Sequence, residues 1–267
     1  AHTHGVDMSD WQDDDVVAEQ YEDAGNLGAR QVLHARFSTS EQSLHEWLFD
    51  QFDLPDDASV LALGAGHGTL WAENADRVPA DWDVTVTDAF QGMVMNAMEA
   101  LEDAPRDFNF DAVDARDVPY PDDTFDAVTA NHLLYHLDDA DRERALSEIR
   151  RVLKPGGALY ASTNGPDNLT ELWDVAADFA DFPDELPFSL ANGGDQLREQ
   201  FDSVERRRFD TELVVDKPEP LVAYVLSLPG VDPSVGPDLE RAFRERFADG
   251  ELRVEKDVGV FVARLDD

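Results

Sequence analysis

The spacing of apolar residues along this chain changes several times, and each change marks an element. Val60-Leu61-Ala62-Leu63 is a short, wholly apolar run, the pattern of a central strand covered on both faces. Further strands fit Val84 to Thr87, Phe108 to Val113, Phe125 to Ala130 and Ala158 to Thr163. Helical spacing fills the intervals at Thr69 to Arg77, Gly92 to Leu101 and Asp141 to Leu153. Strands separated by helices predict right-handed crossovers and a parallel sheet, hence an α/β fold. Ahead of this block, Val16 to Gly25 and Ser40 to Phe52 read as helices; in the second, Leu44, Trp47, Leu48 and Phe52 recur at helical spacing. Lys154-Pro155-Gly156-Gly157 reads as a helix stop followed by a turn.

Beyond Asn164 the alternation breaks. A helix near Asn168 to Phe179, an irregular Pro-rich segment to Asn192 and a helix to Phe201 precede strands near Val204 to Phe209 and Val258 to Arg264. Pro218 to Ser227 and Asp238 to Phe247 read as helices inserted between those two strands. With no internal repeat or low-complexity linker, the pattern predicts a single domain over residues 1–267. Its core is expected at about 54–164, with cap or insertion segments at 14–53, 165–200 and 211–250.

Composition narrows the possibilities. The chain has 267 residues, 59 Asp+Glu against 21 Lys+Arg, and a formal net charge of −38. Acidic residues occur in every segment, and the lysines are only Lys154, Lys217 and Lys256. Self-repulsion of this size is relieved when molar salt shortens the Debye length to about 3 Å, so the composition reads as adaptation to a salt-rich cytoplasm. Nucleic acid is not expected as a partner, because Arg206-Arg207-Arg208 is the only basic run and reads as solvated surface. The absence of Cys excludes disulfides and Cys-ligated metal centres. No run approaches the ~18 apolar residues of a membrane span. Without the pattern of a signal peptide, a soluble cytoplasmic protein is the expectation, with Ala1 to Asp7 an added or frayed tail ahead of Met8.

The candidate chemistry begins at Gly64-Ala65-Gly66-His67-Gly68, between the first apolar strand and a helix. Glycines are required where the backbone needs positive φ or where a ligand approaches it closely, although they also make plain turns. A dinucleotide fingerprint would need glycine at position 69, where Thr69 stands, which argues against NAD or FAD. Asp88 closes the second strand, where a carboxylate can accept two hydrogen bonds from a ribose diol. A solvated surface acid is the competing reading.

Val60 to Gly68 followed by Val84-Thr85-Val86-Thr87-Asp88 resembles the cofactor loop and ribose acid of class I S-adenosylmethionine-dependent methyltransferases. Asp114-Ala115, Val118-Pro119-Tyr120-Pro121-Asp122-Asp123-Thr124-Phe125-Asp126 and the run Glu148 to Gly157 continue the resemblance, which covers about Ala58 to Thr163. The sequence looks most like the small-molecule branch. The resemblance implies a Rossmann-like, seven-stranded, mostly parallel sheet with a reversed last strand and helical cap elements. It implies S-adenosylmethionine as cofactor, held by Gly64, Ala65, Gly66, Gly68, Asp88 and the adjoining Ala89, with Asp114 and the backbone of Ala115 at the adenine. Phe90, Met93 and Leu133 are candidates to flank the ring, and Asn131 to meet the methionine moiety through its backbone. Tyr21 and Arg36 are candidates to close the pocket, with Arg36 pairing the cofactor carboxylate or simply forming a surface ion pair. Ala62 stands where the family often has an acid, so Asp88 or a backbone carbonyl would have to orient the loop.

Asn131-His132-Leu133-Leu134-Tyr135-His136 follows the fourth strand, at the edge where parallel sheets bind ligands. A helix starting here would place His132, Tyr135 and His136 on one face, and an imidazole titrating near neutrality suits removal of an acceptor's proton. Structural histidines and a metal pair lacking a third ligand are the other readings; no metal is expected. Trp173, Phe188 and Asn164 are candidates for the acceptor site, and Phe182 to Asn192 for a lid. The expected activity is methyl transfer to a small-molecule N, O or C nucleophile. Methylation of a protein or RNA, a non-catalytic cofactor-binding protein and a nicotinamide oxidoreductase are the alternatives.

Overall fold

The computed structural model describes residues 24–267. In chain order its elements are α1 (Ala24–Phe37), α2 (Leu44–Asp50), β1 (Ser59–Leu63), α3 (Thr69–Glu73), β2 (Asp83–Asp88), α4 (Gln91–Ala100), β3 (Asn109–Ala112) and β4 (Phe125–Asn131). Then come α5 (Asp139–Val152), β5 (Leu153–Asn164), α6 (Thr170–Ala176), α7 (Gly193–Arg198), β6 (Ser203–Phe209), β7 (Glu212–Val215), α8 (Glu219–Leu226), α9 (Gly236–Arg246), β8 (Leu252–Glu255) and β9 (Val258–Arg264). The described residues divide into two compact units: 44–165, 187–209 and 258–267 in the first, and 24–43, 166–186 and 210–257 in the second.

The first unit holds a seven-stranded sheet in the order β3-β2-β1-β4-β5-β9-β6. Strands β1 to β5 are parallel, and β9, the last in the chain, runs antiparallel between β5 and β6. The expected Rossmann-like α/β sheet with a reversed final strand is therefore present. The unbroken apolar run in β1 has a direct cause. Val60 and Ala62 pack with Leu48, Phe49 and Trp71 on one face, while Leu61 and Leu63 pack with Leu146, Ile149 and Val152 on the other.

One expectation changes in detail. Strand β5 begins at Leu153 rather than Ala158, because the register jumps between Phe125↔Leu153 and Ala127↔Ala158 and residues 154–157 bulge within the strand. Gly156 takes the left-handed conformation there, and a Cβ on Gly157 would stand 2.8 Å from the Lys154 carbonyl oxygen. The acid and base of the closing motif have a structural task. Glu148 accepts from the Val118 N–H, and Arg151 donates to the Val118 and Tyr120 carbonyls, pinning that loop to α5.

Gly259 lies opposite Arg208 in the β6–β9 pair, where a Cβ would collide with the Arg207 carbonyl oxygen. Gly259→Ala is expected to cost about 1–3 kcal/mol by overpacking. Urea unfolding in molar salt measures it; unchanged stability would mean that the two strands separate freely.

The second unit has its own apolar core, in which Leu33, Leu172, Val215, Leu221, Val225, Phe243 and Val254 are buried. Strands β7 and β8 pair antiparallel as a separate two-stranded sheet that the sequence pattern did not predict. Helix α1 was also unpredicted beyond Gly25. Its apolar positions are sparse; Leu33 is buried in this core, and Arg30 adds a tie by donating to the Ser227 carbonyl at 2.9 Å and hydroxyl at 3.2 Å. The helix expected at Val16 to Gly25 otherwise lies outside the described residues. No described helix is long and apolar enough to cross a membrane.

Candidate functional site

At the carboxyl end of β1 the chain takes positive φ three times, at Gly64 (60°), Gly66 (57°) and Gly68 (71°). These glycines serve different purposes. A Cβ on Gly64 would meet Leu133 Cδ1 at 2.9 Å, and one on Gly68 would meet Ala97 Cβ at 3.1 Å, so both also permit close packing. A Cβ on Gly66 would meet nothing within 4 Å, so this turn borders open space that a ligand can enter. The loop is tied to β2, since Ala65 donates its N–H to the Thr87 carbonyl at 2.9 Å.

Asp88 stands at the tip of β2 and is only 6% exposed. Its Oδ2 accepts from the Gly66 N–H at 2.9 Å and its Oδ1 from the Phe90 N–H at 3.0 Å. The same carboxylate therefore orients the loop, the role expected of Asp88 where Ala62 supplies no acid. Thr87 completes the arrangement by donating its hydroxyl to the Ala62 carbonyl at 2.6 Å. Burial pushes the Asp88 carboxyl above its ordinary 3.8, while the Phe90 and Gly66 N–H groups and the nearby His67 pull it back. Burial also lowers His67, and Asp88 opposes that shift.

Asp114 lies at the neighbouring edge of the sheet. Ala112 pairs with Asp88 in register, and Val113 donates its N–H to the Asp88 carbonyl. The Asp114 carboxylate is held by Arg116, whose side-chain hydrogen bonds lower its pKa against the opposing effect of burial. Ala115, directly after it, is buried. Arg116 was not singled out in the sequence; its place beside Asp114-Ala115 was the available signal.

The segment after β4 differs from expectation. His132 adopts φ of 49°, and residues Leu134–His136 form a single 3-10 turn rather than the start of an α-helix. His132 donates its N–H to the Ser162 carbonyl, and Asn131 Oδ1 accepts from the Ser162 hydroxyl at 3.2 Å. These ties carry the β4–β5 ladder one residue beyond Asn131, into the segment where the helical reading began a helix. The three rings still gather: His132 and Tyr135 lie 6.0 Å apart edge to face, and Tyr135 and His136 lie 4.5 Å apart.

Of the ring-flanking candidates, Phe90 and Leu133 are half-buried, and Ala89 is exposed beside them. Met93 is 2% exposed and presents little surface to a ligand, because it lies on the inward face of α4. Phe188 is fully buried against Phe261, with ring centroids 5.7 Å apart, and belongs to the core rather than to an acceptor site. The expected lid is not one body. Residues 187–192 are pinned in the first unit by Leu190 N–H to the Asn164 carbonyl and by Thr163 Oγ1 to the Phe188 carbonyl. Phe182 packs instead on Trp173 in the second unit, at 5.0 Å. Arg36 is exposed on α1 in that unit, and Tyr21 lies outside the described residues. Among the described residues no group of three or more His, Asp or Glu side chains is placed to hold a metal ion.

Known proteins resemble this chain over the same region. Residues 60–157 match the family model of a methyltransferase domain. The malonyl-[acyl-carrier protein] O-methyltransferase of Methylovorus sp. (strain MP688) is 33% identical over 138 residues, 49% of this chain and 46% of that protein. A ubiquinone/menaquinone biosynthesis C-methyltransferase of Bordetella avium (strain 197N) is 36% identical over 100 residues, 38% of each. The match thus spans less than half the length of either relative. Among solved structures, the [4+2]-cyclase SpnF superposes with a TM-score of 0.60 at 19% identity, covering 94% of this chain and 96% of that one, a likeness of fold alone.

Proposed function

Because residues 60–157 match a methyltransferase domain, we propose that the chain is a class I, S-adenosylmethionine-dependent methyltransferase that moves a methyl group to a small-molecule N, O or C nucleophile. The observation that carries this reading is the pairing of Asp88 with Gly66: a buried carboxylate at a strand tip, locked to a turn that leaves open space on its ligand side. The residues fit the cofactor. Asp88 has acceptor capacity left for a ribose diol after its two backbone bonds, and no Cβ intrudes at Gly66. When bound, S-adenosylmethionine supplies an electrophilic methyl on a sulfonium.

The protein's own share is alignment and proton removal. The left-handed glycines bring main chain to the ligand, and Asp88 fixes the nucleoside against it. His132, Tyr135 and His136, gathered at the carboxyl end of β4, supply groups that take a proton from a hydroxyl or ammonium acceptor. A small-molecule acceptor agrees with the O- and C-methyltransferase names among the relatives.

Calorimetric titration with S-adenosylhomocysteine in molar potassium chloride tests the reading. Binding is expected, and no heat at millimolar ligand would overturn it. Because the same fold also belongs to a cyclase, methyl transfer itself needs its own readout: slow turnover of labelled S-adenosylmethionine against a metabolite extract.

The Asp88 shift predicts a pH dependence with opposite signs for stability and binding. The folded value is raised, so ionised Asp88 costs stability at neutral pH, and that cost is relieved as pH falls through the raised value toward the ordinary 3.8. Ligand affinity moves the other way, because a protonated acid has lost acceptor capacity for the diol. Titrations at stepwise lower pH should show affinity falling before an ordinary Asp would protonate. Constant affinity down to that range would remove Asp88 from the ligand's contacts.

A further inference from the structure

We propose that Arg116 is a positioning residue that sets base selectivity at the nucleoside site, by locking the Asp114 carboxylate as an acceptor for the exocyclic amine of adenine. The inference rests on the reading of the site as one for S-adenosylmethionine.

The geometry begins at Asp88. A nucleoside held by its ribose at the tip of β2 extends its base toward either neighbouring strand end. On the β3 side the next acid is Asp114, two residues beyond Ala112, the partner of Asp88 in the ladder. Arg116 grips this acid from one side. Asp114 Oδ1 accepts from the Arg116 backbone N–H at 2.9 Å and from Nε at 3.0 Å. Oδ2 accepts from Nη2 at 2.8 Å and, at 3.1 Å, from the shared Nε. A guanidinium fork in this arrangement fixes the plane of the carboxylate, which a single point charge does not. Three donors thus meet the carboxylate, with Nε shared between its two oxygens, which leaves acceptor capacity for one further donor.

Arg116 is itself held from behind. Its Nη1 donates to Asp141 Oδ2 at 3.0 Å, on the first turn of α5. Asp141 in turn donates its N–H to the N-cap Asp138 at 2.8 Å, so the clamp is anchored in the start of a 14-residue helix. Asp114 is 43% exposed on its side chain, so a ligand can reach it, whereas Arg116 at 27% is more enclosed. An anion that can only accept favours a base edge carrying an amine and disfavours one carrying a carbonyl. Adenine and hypoxanthine differ along one edge, an amine beside an acceptor N1 in the first and a carbonyl beside an N1–H in the second, and the ribose and amino-acid ends of the two ligands are the same.

The test compares S-adenosyl-L-homocysteine with S-inosyl-L-homocysteine, titrated in molar potassium chloride into the wild-type chain, Arg116→Gln and Asp141→Asn. Wild type is expected to favour the adenine ligand by about a hundredfold, and Arg116→Gln to lose about tenfold of that ratio. Asp141→Asn should lose a smaller part in the same direction. The ratio separates positioning from general damage, since a loosened fold weakens both ligands together. A ratio within twofold of wild type in Arg116→Gln overturns the proposal, whatever Asp141→Asn does. Wild type that binds both ligands equally overturns this proposal alone, while wild type that binds neither overturns the reading of the site itself.

Discussion

Asp88→Ala is expected to weaken S-adenosylhomocysteine binding by about a hundredfold or more, which corresponds to roughly 3 kcal/mol. Two hydrogen bonds from a diol to a carboxylate contribute about 1.5–3 kcal/mol each, and water entering the truncated site offsets part of that sum. The structure adds a second loss. Asp88 also receives the Gly66 and Phe90 N–H groups, so alanine frees the turn that faces the ligand as well as removing an acceptor. Asp88→Asn separates the two contributions poorly but usefully: its amide must turn an N–H toward one of those two backbone donors, so its loss should approach that of alanine. Calorimetric titration measures both variants, and thermal melting of the ligand-free proteins checks that each is folded. A loss below threefold in Asp88→Ala would mean that the ribose is held elsewhere.

The second large effect concerns stability. Arg142 is 4% exposed, yet the one acid it meets among the described residues, Asp139, projects into solvent. Its other acceptors are the Leu137 carbonyl at 2.6 Å and Gln196 Oε1 at 2.7 Å. Gln196 then donates to the Pro187 carbonyl at 2.9 Å. One buried guanidinium thus joins the segment after β4, which carries the ring cluster, to the segment 187–196 before and within α7. Arg142→Leu leaves a carbonyl and an amide without their donor in a place closed to water, and a cost of about 3–5 kcal/mol is expected. Arg144→Leu, two residues along the same helix and exposed, should stay within about 0.5 kcal/mol. Urea unfolding of both in molar salt makes the comparison. A cost below about 1 kcal/mol for Arg142→Leu would show that the network re-forms through other groups.

Much of the core was legible because its signals are local. A strand buried on both faces must be apolar throughout, and β1 declares itself at Val60 to Leu63. A turn that needs positive φ three times must carry glycines, and the loop after β1 does. Asp88 was readable for the same reason, since it ends a strand adjacent to that loop. Three features were hidden by long-range ties. The bond from His132 N–H to Ser162 extends the β4–β5 ladder into the segment where the spacing of His132, Tyr135 and His136 suggested a helix. Phe188 looked available for a pocket, but its contact with Phe261 on β9, far along the chain, makes it core. Strands β7 and β8 are separated by two helices, and four-residue strands carry too little periodicity to stand out.

By itself, then, the amino-acid order determined where strands and helices alternate, which turn can accept a ligand against its backbone, and which acid stands beside it. Those properties depend on a residue's own conformational freedom and on neighbours a few positions away. Only the tertiary structure decided that Asp88 also holds the loop, that Arg116 clamps Asp114, and that Arg142 fastens the segment after β4 to residues 187–196. Each of these needs a donor and an acceptor brought within hydrogen-bond reach by sheet pairing and helix packing, and a distance of that kind is set by the fold rather than by spacing along the chain.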